Sequence, residues 1–520
     1  MLVSDGLAWA AVAVATVAIL HALIRHPRQY AWQAGLWGLS SILLLAALLS
    51  GGPRWQLVPL GLAALFCLTV AIVRWVRASK GKLQPRAGRF NARALLTGLI
   101  ALPFIAVTGL ALYLFPLFEM PRPSGRYPVG YTEFHWTDAN RPELHTVSPI
   151  DKRALTVEVF YPADPGNREG KLRPVMLEGG AVGASLLNNL PGTRFFLSHL
   201  AGIPSNSRIG AKLASDHQSF PVVIFSHGLG VHPDLHLSLV EELASRGFVV
   251  FSVNHTYGSA ANRFPDGELK LVEVQAYQGG EPPPNAQVTA EAERILASND
   301  PAVIAEGMQR LMNARPLDRA IERFGLDIWE GDQRFVLDQL GQLQAGILPS
   351  QFKDRLDLDH TAVTGMSFGG IAAVATCGVD SRCKAVADLD GFFVDLLDRP
   401  APQQPMLVLN GADNNMGLAL FDRPGGWHYW MKVKDTRHAD FSDIGLFSRL
   451  WRMKGSGGSI DAAHIRKIVN SSVSSFLEAS LLSGKSDWKP PEHWNDVVFQ
   501  SRGPAAASEA PASTTEKDAG

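Results

Sequence analysis

Glutamate is absent from the first 118 residues, and four stretches among them, Leu7–Ile24, Ala31–Leu49, Trp55–Val73 and Ala94–Leu114, hold no Asp, Glu, Lys or Arg. Each approaches the ~20 apolar residues that a helix needs to cross the hydrocarbon core of a bilayer. Four such runs in succession, with charges only between them, exclude a wholly soluble protein. The first reads as a span rather than a secretory signal, because residues 1–6 lack the Lys or Arg of a basic leader. Any surplus of one charge is missing too: 48 Lys and Arg face 49 Asp and Glu, which leaves no basic footprint for nucleic acid. Cysteine is scarce, with Cys67 in the third run and Cys377 and Cys383 flanking a five-residue stretch. No His pair or second Cys pair accompanies them, so no metal site is expected.

The charges that are present predict an orientation. Arg25 and Arg28 in the first loop, with Arg74, Arg77, Lys80, Lys82, Arg86, Arg89 and Arg93 in the third, stand against Arg54 alone in the second. The bias of cytoplasmic loops toward Lys and Arg then puts both termini outside, in a multi-pass inner-membrane protein whose large domain faces the periplasm or exterior. An oxidising compartment permits a disulfide between Cys377 and Cys383. With no Asp, Glu, Lys or Arg inside the apolar runs, nothing suggests transport.

Beyond the anchor (1–118), residues 119–500 read as one catalytic domain and 501–520 as a disordered polar tail. Ala154–Tyr161 alternates like an edge or early strand. Pro221–Ser226 and Phe248–Val253 are short β-branched runs around a helix at Leu237–Ala244, which predicts a βαβ unit and a parallel sheet. Strands follow at Thr361–Thr364, Ala385–Leu389 and Met406–Leu409. The class is therefore α/β, doubly wound and mostly parallel, with helical insertions near 178–218 (a helix at Arg194–Leu200) and 277–330 that would suit a cap over a site.

Gly365-Met366-Ser367-Phe368-Gly369-Gly370 places a G-x-S-x-G between a strand and a helix. Such an elbow lifts the serine oxygen above the sheet, where it can act as a nucleophile. A serine nucleophile needs a base, an acid to orient that base, and donors for the developing oxyanion. The turn Ser226-His227-Gly228-Leu229-Gly230 and the residue after the serine supply the backbone N–H groups of Leu229 and Phe368. Among His428, His438, His464 and His493, His438 is preferred for its loop position after the strands. Asp390 and Asp413 both follow strands, and spacing leaves both open as the acid.

FSHGLG (225–230), ELASRGFVV (242–250), NHTYGSA (254–260), RFVLDQL (334–340), TGMSFGG (364–370), ADLDG (387–391) and HADFSD (438–443), with GRYPVGYTEF and VEVFYPAD between 125 and 164, resemble the platelet-activating factor acetylhydrolases and their bacterial relatives. The resemblance implies an α/β-hydrolase fold behind four added transmembrane helices, and a calcium-independent serine esterase without cofactor. Its substrates would be glycerophospholipids with short or oxidised acyl chains at the second position. It maps the nucleophile onto Ser367, the base onto His438 and the acid onto Asp390, with the oxyanion donors on Leu229 and Phe368. Met366 stands where the family's motif commonly has His. The alternatives are a general short-chain carboxylesterase of lactones or polyesters, and a membrane-anchored homologue that binds lipid without catalysis. Lipid or a small ester is the expected partner, nucleic acid is not, and the oligomeric state is left open.

Overall fold

A computed structural model describes residues 3–24, 28–83, 92–166, 170–185, 193–273, 282–392, 395–484 and 487–504. The chain forms two compact units, one of residues 1–217, 229–274 and 436–470, the other of 218–228, 275–435 and 471–520.

The first unit opens with α1 (Val3–Leu23), α2 (Gln29–Gly51), α3 (Val58–Ser79) and α4 (Ala92–Leu114), four helices long and apolar enough to cross a membrane. They close a ring in which α1 packs on α2 and α4, and α3 on the same two. Ala8, Ala11, Ala15 and Ala18 recur on one face of α1 and are fully buried, so the backbones approach closely, as small residues permit in a membrane. Leu45, Leu49, Leu62, Leu65, Leu99 and Val107 point outward. The helices outrun the apolar stretches, which corrects the expectation of spans free of Asp, Glu, Lys and Arg. α1 takes in Asp5, buried in an ion pair with Arg54, and its Oδ2 accepts from Leu117 N at 2.9 Å. Backbone hydrogen bonding does not stop where hydrophobicity does. This contact gathers the start of α1, the α2–α3 link and the exit of α4 at one end of the bundle.

The same unit carries β1 (Val129–Pro142), β2 (Lys152–Pro162), β3 (Leu172–Pro174), α5 (Gly179–Ser185), β4 (Pro204–Ile209), α6 (Leu237–Ser245), β6 (Val249–Asn254) and a small hairpin of β7 (Ala261–Arg263) with β8 (Leu269–Leu271). β2 lies antiparallel to β1 on one side and to β6 on the other, so it is early in the chain but not an edge. Its alternation survives because Glu158, buried among apolar neighbours, is neutralised by Arg173. The helix expected at Arg194–Leu200 is instead a turn leading into a 3₁₀ helix at Ser198–Gly202. Phe195 and Phe196 there pack edge-on against Trp55, with Trp55 Nε1 donating to Phe196 O at 3.3 Å, and these contacts outweigh helix propensity.

In the second unit β5 (Phe220–Ser226), β9 (Leu356–Met366), β10 (Ala385–Leu389), β11 (Met406–Asn410) and β12 (His428–Val433) pair parallel in that order, and β13 (Val497–Arg502) closes antiparallel on β12. The mostly parallel sheet with helices is thus as read from the strand pattern. β5, β10 and β11 are buried along their whole length, which suits unbroken apolar runs in a parallel sheet. β12 and β13 escape periodicity analysis, because HYWMKV has no β-branched alternation and VVFQSR sits far from the other strands in sequence. The expected tail begins as strand at residues 501–502, and residues 505–520 lie outside the described residues. The 277–330 insertion comprises α7 (Ala286–Ala297), α8 (Pro301–Ala314) and the first half of α9 (Pro316–Gln344); residues 274–281 lie outside the description. Asn285 caps α7 by accepting from Val288 N at 2.9 Å, and Asp300 caps α8 from Ala302 N at 2.9 Å. α10 (Phe368–Val379) follows β9, and Cys377 near its end is disulfide-bonded to Cys383 with the Cα atoms 5.3 Å apart. Cys67 is a buried free thiol in α3.

Candidate active site

Ser367 occupies the single residue between β9 and α10, at φ 55° and ψ −124°. A side-chain-bearing residue pays strain for a positive φ, and such strain is characteristic of nucleophile elbows. The neighbours explain how the strain is held. Ser367 N donates to Leu389 O of β10 at 2.8 Å, and Ser367 O accepts from Gly370 N and Ile371 N at 3.0 and 3.1 Å to begin α10. A Cβ at Gly365 would collide with the Gly369 backbone, and one at Gly369 with the carbonyls of Ser226 and His227 at the end of β5. The glycines therefore let helix and strands meet closely enough to leave Ser367 half-exposed at the strand ends. Beneath the turn, Gln333 of α9 donates to Ser226 Oγ at 2.8 Å and accepts from Thr376 Oγ1 at 2.6 Å, tying β5, α9 and α10 together.

Asp390 follows β10 directly, fully buried and again at positive φ, 57°. Its Oδ1 accepts from Gly411 N at 2.7 Å and from Asn414 Nδ2 at 3.0 Å, while its N donates to Leu409 O at 2.7 Å. The loop after β11 thus grips one carboxylate oxygen. Asp413, in that same loop, is exposed, and its neighbour Asn414 does the holding. Asn415 next to it donates to Leu296 O and Ser298 O at 2.9 and 2.7 Å, so the corner between α7 and α8 is fastened to the loop that grips Asp390. Ser367, Phe368 and Asp390 are therefore brought together in the second unit. Phe368 is buried with its ring edge-on to Trp329, which in turn meets His227.

Leu229 and His438 belong to the first unit. Leu229 is half-buried, and the next residue, Gly230, adopts φ 75° and donates to Gly258 O at 2.8 Å. His438 opens a 3₁₀ turn, His438–Phe441, and is half-buried. The turn is built by the acids of its own motif. Asp440 Oδ2 accepts from Arg437 N at 2.8 Å and from Gly458 N at 2.7 Å. Asp443 accepts from Ser238 N at 2.8 Å and Ser238 Oγ at 2.5 Å, which pins the loop to the first turn of α6. His236 lies beside it, and burial pushes that imidazole down to about 3, with the charge of His438 adding to the effect. His236 therefore stays neutral. His464 is in a helix, His428 is buried in β12, and His493 precedes β13.

Sequence reasoning missed the roles of Asn414, Asp443 and Asp388. Asp388 is fully buried beneath the elbow; its Oδ2 accepts from Gly391 N at 3.1 Å, and its Oδ1 has no hydrogen-bond partner among the described residues. A Cβ at Gly370 would run into this carboxyl. Burial raises its pKa well above the usual carboxylate range, and the Asp390 charge adds to that. An acid whose folded-state pKa is raised contributes most below its unfolded value, about 4, and loses that contribution as pH rises. Asp388→Asn should accordingly melt above the parent by a margin that widens as pH rises above about 4. A margin that stays flat across thermal scans would show that Asp388 is ionised in the fold.

Residues 114–497, which include the elbow, Asp390 and His438, match the family platelet-activating factor acetylhydrolase, isoform II. The chain belongs to that family. Platelet-activating factor acetylhydrolase of Bos taurus is 24% identical over 441 residues, covering 82% of this chain and 89% of the relative. That of Cavia porcellus is 24% identical over 397 residues, covering 73% and 81%. A ferulic acid esterase from Streptomyces cinnamoneus shares the fold, with a TM-score of 0.53 and 24% identity over 73% of this chain and 98% of its own. The architecture is that of an α/β hydrolase, and the family is one of esterase-type hydrolases. The four apolar helices precede the matched region almost entirely.

Proposed function

We propose that this platelet-activating factor acetylhydrolase homologue is a membrane-anchored serine esterase that cleaves short or oxidised acyl chains from the second position of glycerophospholipids. The observation that carries the reading is the strained Ser367 at a strand–helix elbow, with a buried, hydrogen-bonded carboxylate at Asp390 beside it. In the proposed sequence His438 takes the Ser367 proton as Oγ attacks the ester carbonyl. Asp390 holds the imidazole in the productive tautomer and stabilises its charged form. The N–H groups of Leu229 and Phe368 receive the oxyanion, and each such donor is worth about 10²–10³ in rate. Collapse expels the lysolipid alcohol with the proton from His438. Water then hydrolyses the acyl-enzyme by the same steps in reverse roles.

The test is acyl release by the full chain in lipid nanodiscs across phosphatidylcholines whose second chain runs from acetyl to palmitoyl, with Ser367→Ala as control. Release confined to the short members is expected. Cleavage of simple esters with no phospholipid cleaved at any length would sink the lipid reading and leave a general carboxylesterase. The loop charges further support a catalytic domain outside the cytoplasm. A reporter joined after residue 120 should then behave as exported, and a cytoplasmic readout would reverse the topology.

A further inference from the structure

A cleft of about 650 Å³ lies in the first unit, where the ends of α1 and α4 and the exit segment 116–119 meet residues 445–449. Its bundle side is formed by Trp9, Leu112, Tyr113 and Leu117, its far side by Leu446 and Arg449. That far side is the direct continuation of the His438 loop, since Gly445 follows His438 by seven residues. It is fastened to the bundle: Arg449 N donates to Leu114 O at 2.9 Å, Ser448 Oγ to the same carbonyl at 3.0 Å, and Phe118 stacks on Phe447 with centroids 5.4 Å apart.

The chemistry of the walls specifies an occupant. Leu112, Leu117 and Leu446 are apolar, and Trp9 and Tyr113 are the amphipathic aromatics that settle at the bilayer–water boundary. Arg449 is exposed at the rim, its guanidinium 4.6 Å over the Tyr113 ring and its Nη1 on Tyr113 O at 3.3 Å, and it forms no ion pair among the described residues. Asp5, the acid inside the cleft, is already bound to Arg54 and Leu117 N. Glu119 is exposed and adds a negative charge at the lining. Apolar walls at a membrane boundary, a guanidinium with no carboxylate partner among the described residues and the exposed Glu119 carboxylate suit a lipid whose headgroup carries a phosphate and a positive group. The volume falls within the range of small-molecule sites.

We propose that this cleft is a lipid-binding portal, which takes a zwitterionic glycerophospholipid from the bilayer with its phosphate on Arg449 and its chains against the ends of α1 and α4. The inference deepens the esterase reading and rests on it for the fate of the lipid, but not for its binding. It also gives the bundle a task beyond anchoring, because one wall of the portal is made by the spans themselves.

Two variants of the full chain in phosphatidylcholine nanodiscs test it, Arg449→Glu at the exposed rim and Leu446→Trp filling the cleft. Each should lower kcat/KM for a short-chain phosphatidylcholine in the bilayer by about tenfold or more, while water-soluble p-nitrophenyl acetate is cleaved within about twofold of the parent rate. An equal fall on both substrates, or no fall on either, overturns the proposal. Binding is read separately with Ser367→Ala and a photoactivatable phosphatidylcholine. Crosslinks to the peptide containing Leu446 that disappear in the Leu446→Trp background support the portal, and crosslinks confined to the outward faces of the spans overturn it. Should the parent hydrolyse no phospholipid, the esterase reading fails while the crosslinking arm still decides the cleft.

Discussion

Replacing Ser367 with alanine should reduce hydrolysis of any ester substrate by about 10⁴–10⁶-fold, with KM little changed. The side chain is half-exposed and the elbow is held by backbone bonds from Ser367 N and O, so removing Oγ leaves the turn standing. What disappears is the atom that would form the acyl-enzyme. A fluorophosphonate that labels the parent should leave the variant unlabelled, and thermal unfolding of the two should coincide to within a few degrees. Retention of more than about a hundredth of the parent rate, or labelling at another serine, would remove Ser367 from the role of nucleophile. The same variant separates the esterase from a homologue that only binds lipid, because a non-catalytic chain would show no difference to begin with.

Asp390→Asn should cost about 10⁴-fold in kcat, whereas Asp413→Asn should leave kcat within about twofold. The two positions are chemically alike in sequence and unlike in place. Asp390 is buried, turned by a positive φ and held through Oδ1 by Gly411 N and Asn414 Nδ2. One oxygen is thereby fixed, which sets the plane of the carboxylate that the proposal assigns to orienting the imidazole. Asp413 is exposed in the gripping loop, where its charge is screened by solvent. The asparagine substitution keeps the shape and the contact with Gly411 N, so a fall in kcat without a fall in melting temperature would mark loss of charge rather than loss of fold. A collapse with Asp413→Asn instead would move the acid to the later strand.

The parts legible in the chain are those decided by near neighbours. The four long apolar helices follow from runs without Asp, Glu, Lys or Arg, because a stretch of about 20 apolar residues is legible without reference to any distant partner. The buried strands PVVIFS and MLVLN and the elbow GMSFGG are likewise local, since β-branched residues and closely spaced glycines act on the backbone where they stand. The parts that were illegible depend on partners distant in sequence. Arg194–Leu200 has helical composition, yet Trp55, well over a hundred residues earlier, draws its phenylalanines into a turn. β12 becomes a strand by pairing with β11 and β13, not by its own pattern.

The candidate site divides along the same line. Sequence alone determined which residue types are available: a serine in an elbow, a histidine after the strands, acids at two strand ends, and family motifs that link them. It also set the class of the molecule, an α/β hydrolase behind four apolar helices. Only the tertiary structure decided that Asn414 grips Asp390 while Asp413 faces solvent, and that Asp443 pins the His438 loop to α6. It alone placed the residues following that loop against the end of α4. The physical reason is that composition and spacing govern short-range backbone choices. Burial and hydrogen-bond partnership, by contrast, are properties of groups brought together across hundreds of residues, and those choices alone cannot specify them.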